Sequence, residues 1–311
     1  MFKLFIFIFL FSALVKAGAP SDLVYFQEDG DKIIETSIFN TRGQINIRYF
    51  SGKVAAIEST RNEMSLTYIQ AIDTENIIYI RVPYVLNSTL NYSYGPASSK
   101  NGSSETYNHK GIADASIGYV HNFILSSGVD KKSKLVLGLD LSPKLQTATG
   151  ATTTEDGNSA RGGHAVKVNI SYATATERLQ RLAGISYTFA DKRTESNSTG
   201  DDETTGGHTT ALSFGFQYAT SLTYSLAGGI SQSYISASDN VRTSGKNSTG
   251  AMTVTQLLLG LVAHRDDNRF SGALILGFSP TYDFSFDTSA NKLETSVDGS
   301  RTIAASLAWK I

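Results

Sequence analysis

The sequence predicts an all-β protein: a transmembrane antiparallel up-and-down β-barrel of about twelve strands, with long extracellular loops and short periplasmic turns. Three observations carry this. Side chains alternate with a period of two over most of the chain, the connections between alternating segments are short and long by turns, and an N-terminal apolar run marks the chain for export.

Export comes first along the chain. Met1-Phe2-Lys3 supplies one positive charge, and the run from Leu4 to Val15 is almost wholly apolar before Lys16-Ala17-Gly18-Ala19. This reads as a secretory signal peptide over 1–17, with small residues that admit cleavage after Ala17 or Ala19. A spanning helix needs about 20 apolar residues, more than this stretch or any later one offers, so insertion must be by strands. Residues 18–32 are then a short periplasmic segment and 33–311 a barrel in the cell outer membrane, since barrels of this length are commonly one unit.

Alternation places strands at 33–51, 62–73, 76–88, 112–125, 133–147, 163–175, 178–191, 207–219, 222–237, 250–265, 268–286 and 300–311. In the clearest of them Leu212, Phe214, Phe216 and Tyr218 share one face, and Ala211, Ser213, Gly215 and Gln217 the other. Short connections fall at 73–76, 175–177, 219–221 and 266–268. Long ones, rich in Ser, Thr, Asn, Gly and Asp, fall at 89–111, 148–162, 192–206, 238–249 and 287–299, with 52–61 a less polar first member. An even strand number with short turns on one side and long loops on the other leaves both termini periplasmic.

The apolar face is assigned to lipid because the opposite face is built from Gly, Ala, Ser and Thr, and because aromatic residues gather near strand ends. Tyr49, Tyr84, Tyr187, Phe189, Tyr234, Tyr282 and Phe284 form the expected outer girdle; Tyr68, Phe123, Tyr172, Tyr218, Phe270 and Trp309 form the periplasmic one. Arg181 falls on the lipid face at a periplasmic strand start, where a charge costs about 0–1 kcal/mol. The last segment, Ile303 to Ile311, keeps an apolar residue at every second position and resembles the C-terminal signal read by the outer-membrane assembly machinery, with Ile311 where Phe is usual.

From Asn62 the order of elements is similar to the outer-membrane family named for the meta pathway of phenol degradation. The matching residues are Val82-Pro83-Tyr84, Gly111-Ile112-Ala113-Asp114 and, with a departure from the family's K-L-P-T-G, Lys144-Leu145-Gln146-Thr147. The resemblance covers residues 62–150. It implies a transporter-like barrel passing small hydrophobic or aromatic compounds.

Charge and chemistry bound the function. Lys+Arg 27 against Asp+Glu 28 gives a net charge of -1, too small for a global field that gathers nucleic acid. Cys 0 removes disulfides, thiolate metal sites and a lipidated cysteine. Neither His-x-Ser nor Asp-x-His occurs at His109, His121, His164, His208 or His264, so no catalytic residue is assigned; Glu28-Asp29-Gly30-Asp31 lacks the remaining ligands of a calcium loop, so no metal or cofactor is expected. Asn197-Ser198-Thr199 is a glycosylation sequon only in form.

A barrel of about twelve strands leaves a narrow lumen. Strand parity points Arg48, Glu63, Arg81, Asp114, Asp140, Lys144, Lys167 and Asp283 into it, with Lys310, a balanced set that braces the wall or tunes selectivity. The expected function is passive passage of small, hydrophobic or aromatic solutes, with membrane lipid and the solute as partners. The alternative is a closed structural or surface-recognition barrel acting through its loops; an outer-membrane hydrolase ranks third.

Overall fold

Alternating side chains produce the architecture directly. In the strand Lys32–Tyr49 (β1), Ile33, Glu35, Ser37, Phe39 and Thr41 are buried while Ile34 and Ile38 face out, because a pleated chain sends successive residues to opposite sides. The computed structural model describes residues 30–49, 52–128, 131–160, 162–197, 200–221, 223–242, 245–264, 270–288 and 292–311. The expected signal peptide, the carboxylates Glu28 and Asp29, and the turn at 266–268 lie outside the described residues, as do the side chains of Tyr49, Asn197 and His264.

The elements follow in order: β2 (Gly52–Ala71), β3 (Asn76–Tyr94), β4 (Ser104–Ile112), β5 (Ser116–Ser127), β6 (Lys132–Ser142), β7 (Ala148–Thr149), β8 (Gly157–Asn158), β9 (Ala165–Ala175), β10 (Leu179–Ala190), β11 (Arg193–Asn197), β12 (Gly200–Thr204), β13 (Gly207–Ala219), β14 (Tyr224–Ile235), β15 (Ser238–Arg242), β16 (Gly245–Thr249), β17 (Met252–His264), β18 (Phe270–Ser279), β19 (Tyr282–Thr288) and β20 (Lys292–Lys310). Antiparallel pairing of β1 with both β2 and β20 closes the sheet into a barrel of 12 staves. Closure removes the two free edges that an open sheet would expose to lipid. Followed across the ladders from Asp31, the hydrogen-bonding direction returns to β1 near Ile45, about 14 residues along, the stagger of steeply tilted strands.

A band of large apolar side chains faces outward. Leu257, Leu259 and Leu261 of β17 sit beside Leu274, Leu276 and Phe278 of β18, and Leu259 is 67% exposed. Such a surface is stable only in an apolar solvent. Tyr84, Tyr187, Phe189 and Tyr234 lie outward at its upper margin, and Phe123, Tyr172, Tyr218, Phe270 and Trp309 at its lower one.

The segments expected as long loops are mostly strand. β11 with β12, β15 with β16, and β19 with β20 are antiparallel hairpins that pair laterally with one another, extending the wall upward beyond the apolar band. The segment 52–61 belongs to β2. Their Ser and Thr content is compatible with pairing, since neighbours satisfy the backbone and water the side chains.

At the foot of most extensions the chain shifts phase, whereas β1 and β2 keep odd positions on the inner face from Ile33 to Ile47 and from Ala55 to Ser65. β1 and β20 slip register between Gly43 and Ile45, where Gly299 takes φ +64° and a Cβ would stand 3.1 Å from the Ser279 carbonyl oxygen. β3 slips against β4 between Val85 and Ser88, and residues 113–115, 191–192, 205–206, 236–237, 250–251 and 280–281 interrupt the other staves. Above these breaks a sequence-derived parity no longer applies.

The stretch 143–164 departs from hairpin form. β7 runs parallel to β11 and β8 parallel to β4, so the chain leaving β6 crosses to the far neighbour and returns by the near one. This crossed segment fills the wall where β6 and β9 stop short.

Candidate functional site

Inside the upper wall the alternation produces an apolar plug. Ile45 and Ile47 of β1, Ala55 and Ile57 of β2, Leu90, Tyr92 and Tyr94 of β3, Tyr107 of β4, Met252 and Val254 of β17, Phe284 and Phe286 of β19, and Leu293 and Val297 of β20 form one buried cluster. Ala151, from the crossed segment, completes it. Ile45, Ile57 and Ala151 are each 0% exposed, so this end of the bore is closed by packed side chains. Tyr92 meets Tyr107 edge to face at 5.3 Å. The Tyr94 and Tyr107 hydroxyls donate to Glu105 Oε2 at 2.8 and 2.7 Å, and Lys100 pairs with the same carboxylate, capping the cluster with a polar lid.

Below the plug lies a charged belt. Arg61 and Glu63, two residues apart and therefore on the same inward face of β2, form a buried ion pair at 2.6 Å. Arg193 is buried on β11 in the field of Glu195, Asp202 and Asp114; burial draws its pKa down and the three carboxylates draw it back up. His109 of β4 is 2% exposed, and its outward neighbour Lys110 is paired with Asp156 at 2.8 Å, which puts this level above the lipid band. Burial, with Arg61 and Arg193 nearby, pushes the His109 imidazole down to about 4. A Cβ on Gly157 would stand 2.6 Å from His109 Cδ2, so glycine is what lets the crossed segment close over the histidine.

The shaft beneath is lined by small residues: Ser37, Ser65, Gly118, Gly138, Ser171, Gly184, Ala304 and Ser306 point inward. Among them Arg81 lies 5.8 Å from the Phe39 ring centroid, and the Tyr79 hydroxyl donates to Asp140 Oδ2 at 2.8 Å. Asp140 stands directly opposite Lys167 in the β6–β9 ladder. At the lower end Lys310 pairs with Asp31 at 2.7 Å.

The structure thus brings Glu63 and Asp114 into the belt and Arg81, Asp140 and Lys167 into the shaft. The other three parity assignments do not point inward. Arg48 shares the parity of the outward Ile34 and Ile38, since odd positions keep the inner face from Ile33 to Ile47 of β1, and it is exposed at the top of the first hairpin. Lys144 follows Pro143, outside the ladder, where its backbone N–H donates to His164 Nδ1 at 3.0 Å. Asp283 follows the interruption at Pro280, which turns it out and Phe284 in; for the same reason Tyr282 and Phe284 leave the expected outer girdle.

Sequence reasoning missed Arg61, His109, Arg193, Glu195 and Asp202, and the plug as a unit. A signal was present. Ile45-x-Ile47, Leu90-x-Tyr92-x-Tyr94, Arg193-x-Glu195 and Phe284-x-Phe286 all alternate within or beside segments classed as loop or read in the opposite phase. Among the described residues no group of three His, Asp or Glu side chains could hold a metal ion.

No family model matches the chain, and no curated protein matches it. Solved structures do. The chain is similar to the COG4313 outer membrane channel from Pseudomonas putida F1, with a TM-score of 0.58 and 12% identity over 94% of this chain and 99% of that one. This is the fold of an outer-membrane β-barrel. The barrel is also similar to the translocator domain of the autotransporter NalP from Neisseria meningitidis, with a TM-score of 0.51 and 10% identity over 98% of this chain and 97% of that one. Two such barrels, one a channel and the other a translocator domain, mark shared architecture and leave the activity to be argued from the bore.

Proposed function

We propose that this outer-membrane barrel is a passive, gated channel for small hydrophobic solutes. The observation that carries the reading is the apolar cluster inside the extracellular end of the bore. A barrel that passed only water and ions would gain nothing from aromatic and aliphatic side chains there, whereas an apolar solute meeting them loses its hydration cost and finds Tyr92, Tyr107, Phe284 and Phe286 as partners. The shaft of Ser, Gly and Ala beneath leaves room for a small molecule once the plug parts. The Pseudomonas putida F1 structure with this fold is described as an outer membrane channel, which agrees with the reading. The resemblance to the meta-pathway family points the same way.

Uptake of a small aromatic hydrocarbon into liposomes tests it: protein-containing vesicles should equilibrate faster than empty ones, and equal rates would refute the proposal. A second reading, a closed barrel that serves by surface recognition, is favoured by the tight packing of Ile45 and Ile57. It predicts equal rates for the wild type and for plug-truncated variants alike.

A further inference from the structure

The lipid-facing wall carries a notch at its periplasmic end. On β10, Ala183 stands in register between Tyr172 of β9 and Phe214 of β13. The small side chain between two rings leaves a cavity of about 450 Å³, lined also by Lys131, Thr174, Thr176, Leu179 and Arg181. Tyr172 and Phe214 remain largely exposed at its sides, so nothing in the barrel covers it.

Its two charged residues sit at one end. Lys131 precedes β6 and Arg181 lies two residues before Ala183, toward the periplasmic turn, both exposed, and neither forms an ion pair among the described residues. Glu177 and Arg178, adjacent in the turn below, add no net charge. An apolar slot between aromatic walls with two cations at headgroup level matches one kind of molecule. We infer that this notch binds an anionic phospholipid of the periplasmic leaflet, an acyl chain lying over Ala183 between Tyr172 and Phe214, and the phosphodiester held by Arg181 and Lys131. The charge that looked misplaced on the lipid face thereby acquires a counter-ion. Arginine and lysine near a membrane surface each favour anionic lipid, and the aromatic rings sit where the headgroup boundary places them.

Native mass spectrometry of the full chain, reconstituted with equal phosphatidylglycerol and phosphatidylcholine, tests the site. The wild type should retain phosphatidylglycerol in preference. Lys131→Gln and Arg181→Gln should each lower that retention by about fivefold, and lower that of phosphatidylcholine, whose choline cation offsets its phosphate, much less. Ala183→Trp, which fills the slot and keeps both charges, should lower retention of both lipids, and Lys110→Gln on the upper wall should change neither. Heat-modifiable electrophoretic mobility verifies that each variant is folded; if Ala183→Trp does not fold, the two glutamine variants decide alone. Equal retention of both lipids by the wild type, or phosphatidylglycerol retention unaltered in the double glutamine variant, would overturn the inference.

Discussion

The Arg61 guanidinium donates from both Nε and Nη2 to a single oxygen, Glu63 Oε2, at 3.0 and 2.6 Å, inside the bore and almost out of reach of solvent. Two residues apart on one strand, the pair needs no partner strand to form, yet it stands at the level where β2 faces Thr41 of β1 and Ser88 of β3. It is the fixed point of the belt on which the apolar plug rests.

Removing one member should expose the cost of the other. Glu63→Gln leaves a buried guanidinium poorly compensated and should destabilise the barrel by about 3–5 kcal/mol. Arg61→Met with Glu63→Leu should fall much closer to the wild type, because both desolvation costs vanish together. Urea unfolding from lipid vesicles measures both; equal losses in the two proteins would mean the pair is not desolvated.

Acid should loosen the upper barrel through His109. Its pKa is near 4 in the folded protein, against an ordinary value near 6.5, so between those limits the unfolded chain binds the extra proton. Stability is therefore complete above about pH 6.5 and falls as pH is lowered toward 4, by up to about 3 kcal/mol from this group. His109→Gln should flatten the curve in that window. A wild-type curve already flat from pH 7 to 4 would show that the imidazole is hydrated or protonated in place.

Charge tolerance on the outer surface should map the lipid band. Leu259→Arg, in the middle of β17, should cost about 2–4 kcal/mol, whereas Val241→Arg, equally outward but on the β15 extension, should cost about 1 kcal/mol or less. Comparable penalties at both positions would place the membrane boundary higher than the phase breaks.

The sequence was most legible where chemistry and period agree. Leu212 to Tyr218 alternate over a stave whose faces meet lipid and lumen, and β13 has that form in the structure. Glu63, Asp140 and Lys167 lie on the inner face of staves below the breaks, where the period of two is uninterrupted. Legibility ended where a residue or two steps out of the ladder. Gly299 and Pro280 each invert every side chain above them, and nothing in an alternating pattern states which residue will be skipped. Polar composition misled as well, since Arg193 to Asn197 and Gly200 to Thr204 have the composition of a loop but pair as strands. The crossed path of 143–164 has no sequence signature, because β7 and β8 are two residues each and are defined only by their neighbours.

The plug itself should be costly to thin. Phe286→Ala and Ile57→Ala each remove a fully packed side chain and should destabilise by about 2–5 kcal/mol, depending on how far neighbours collapse. Thermal unfolding in detergent checks the loss, and an effect under about 1 kcal/mol would mean that the cluster is already loosely packed.

The most direct test of gated passage is uptake of a small aromatic hydrocarbon by liposomes carrying either the wild type or the Ile57→Ala, Phe286→Ala double variant, with ionic conductance recorded on the same proteins. The account predicts measurable aromatic uptake by the wild type, faster uptake by the variant, and ion-conducting events that appear or lengthen only when the plug is thinned. Aromatic uptake no faster than in empty vesicles for both proteins, with the barrels folded, would contradict it.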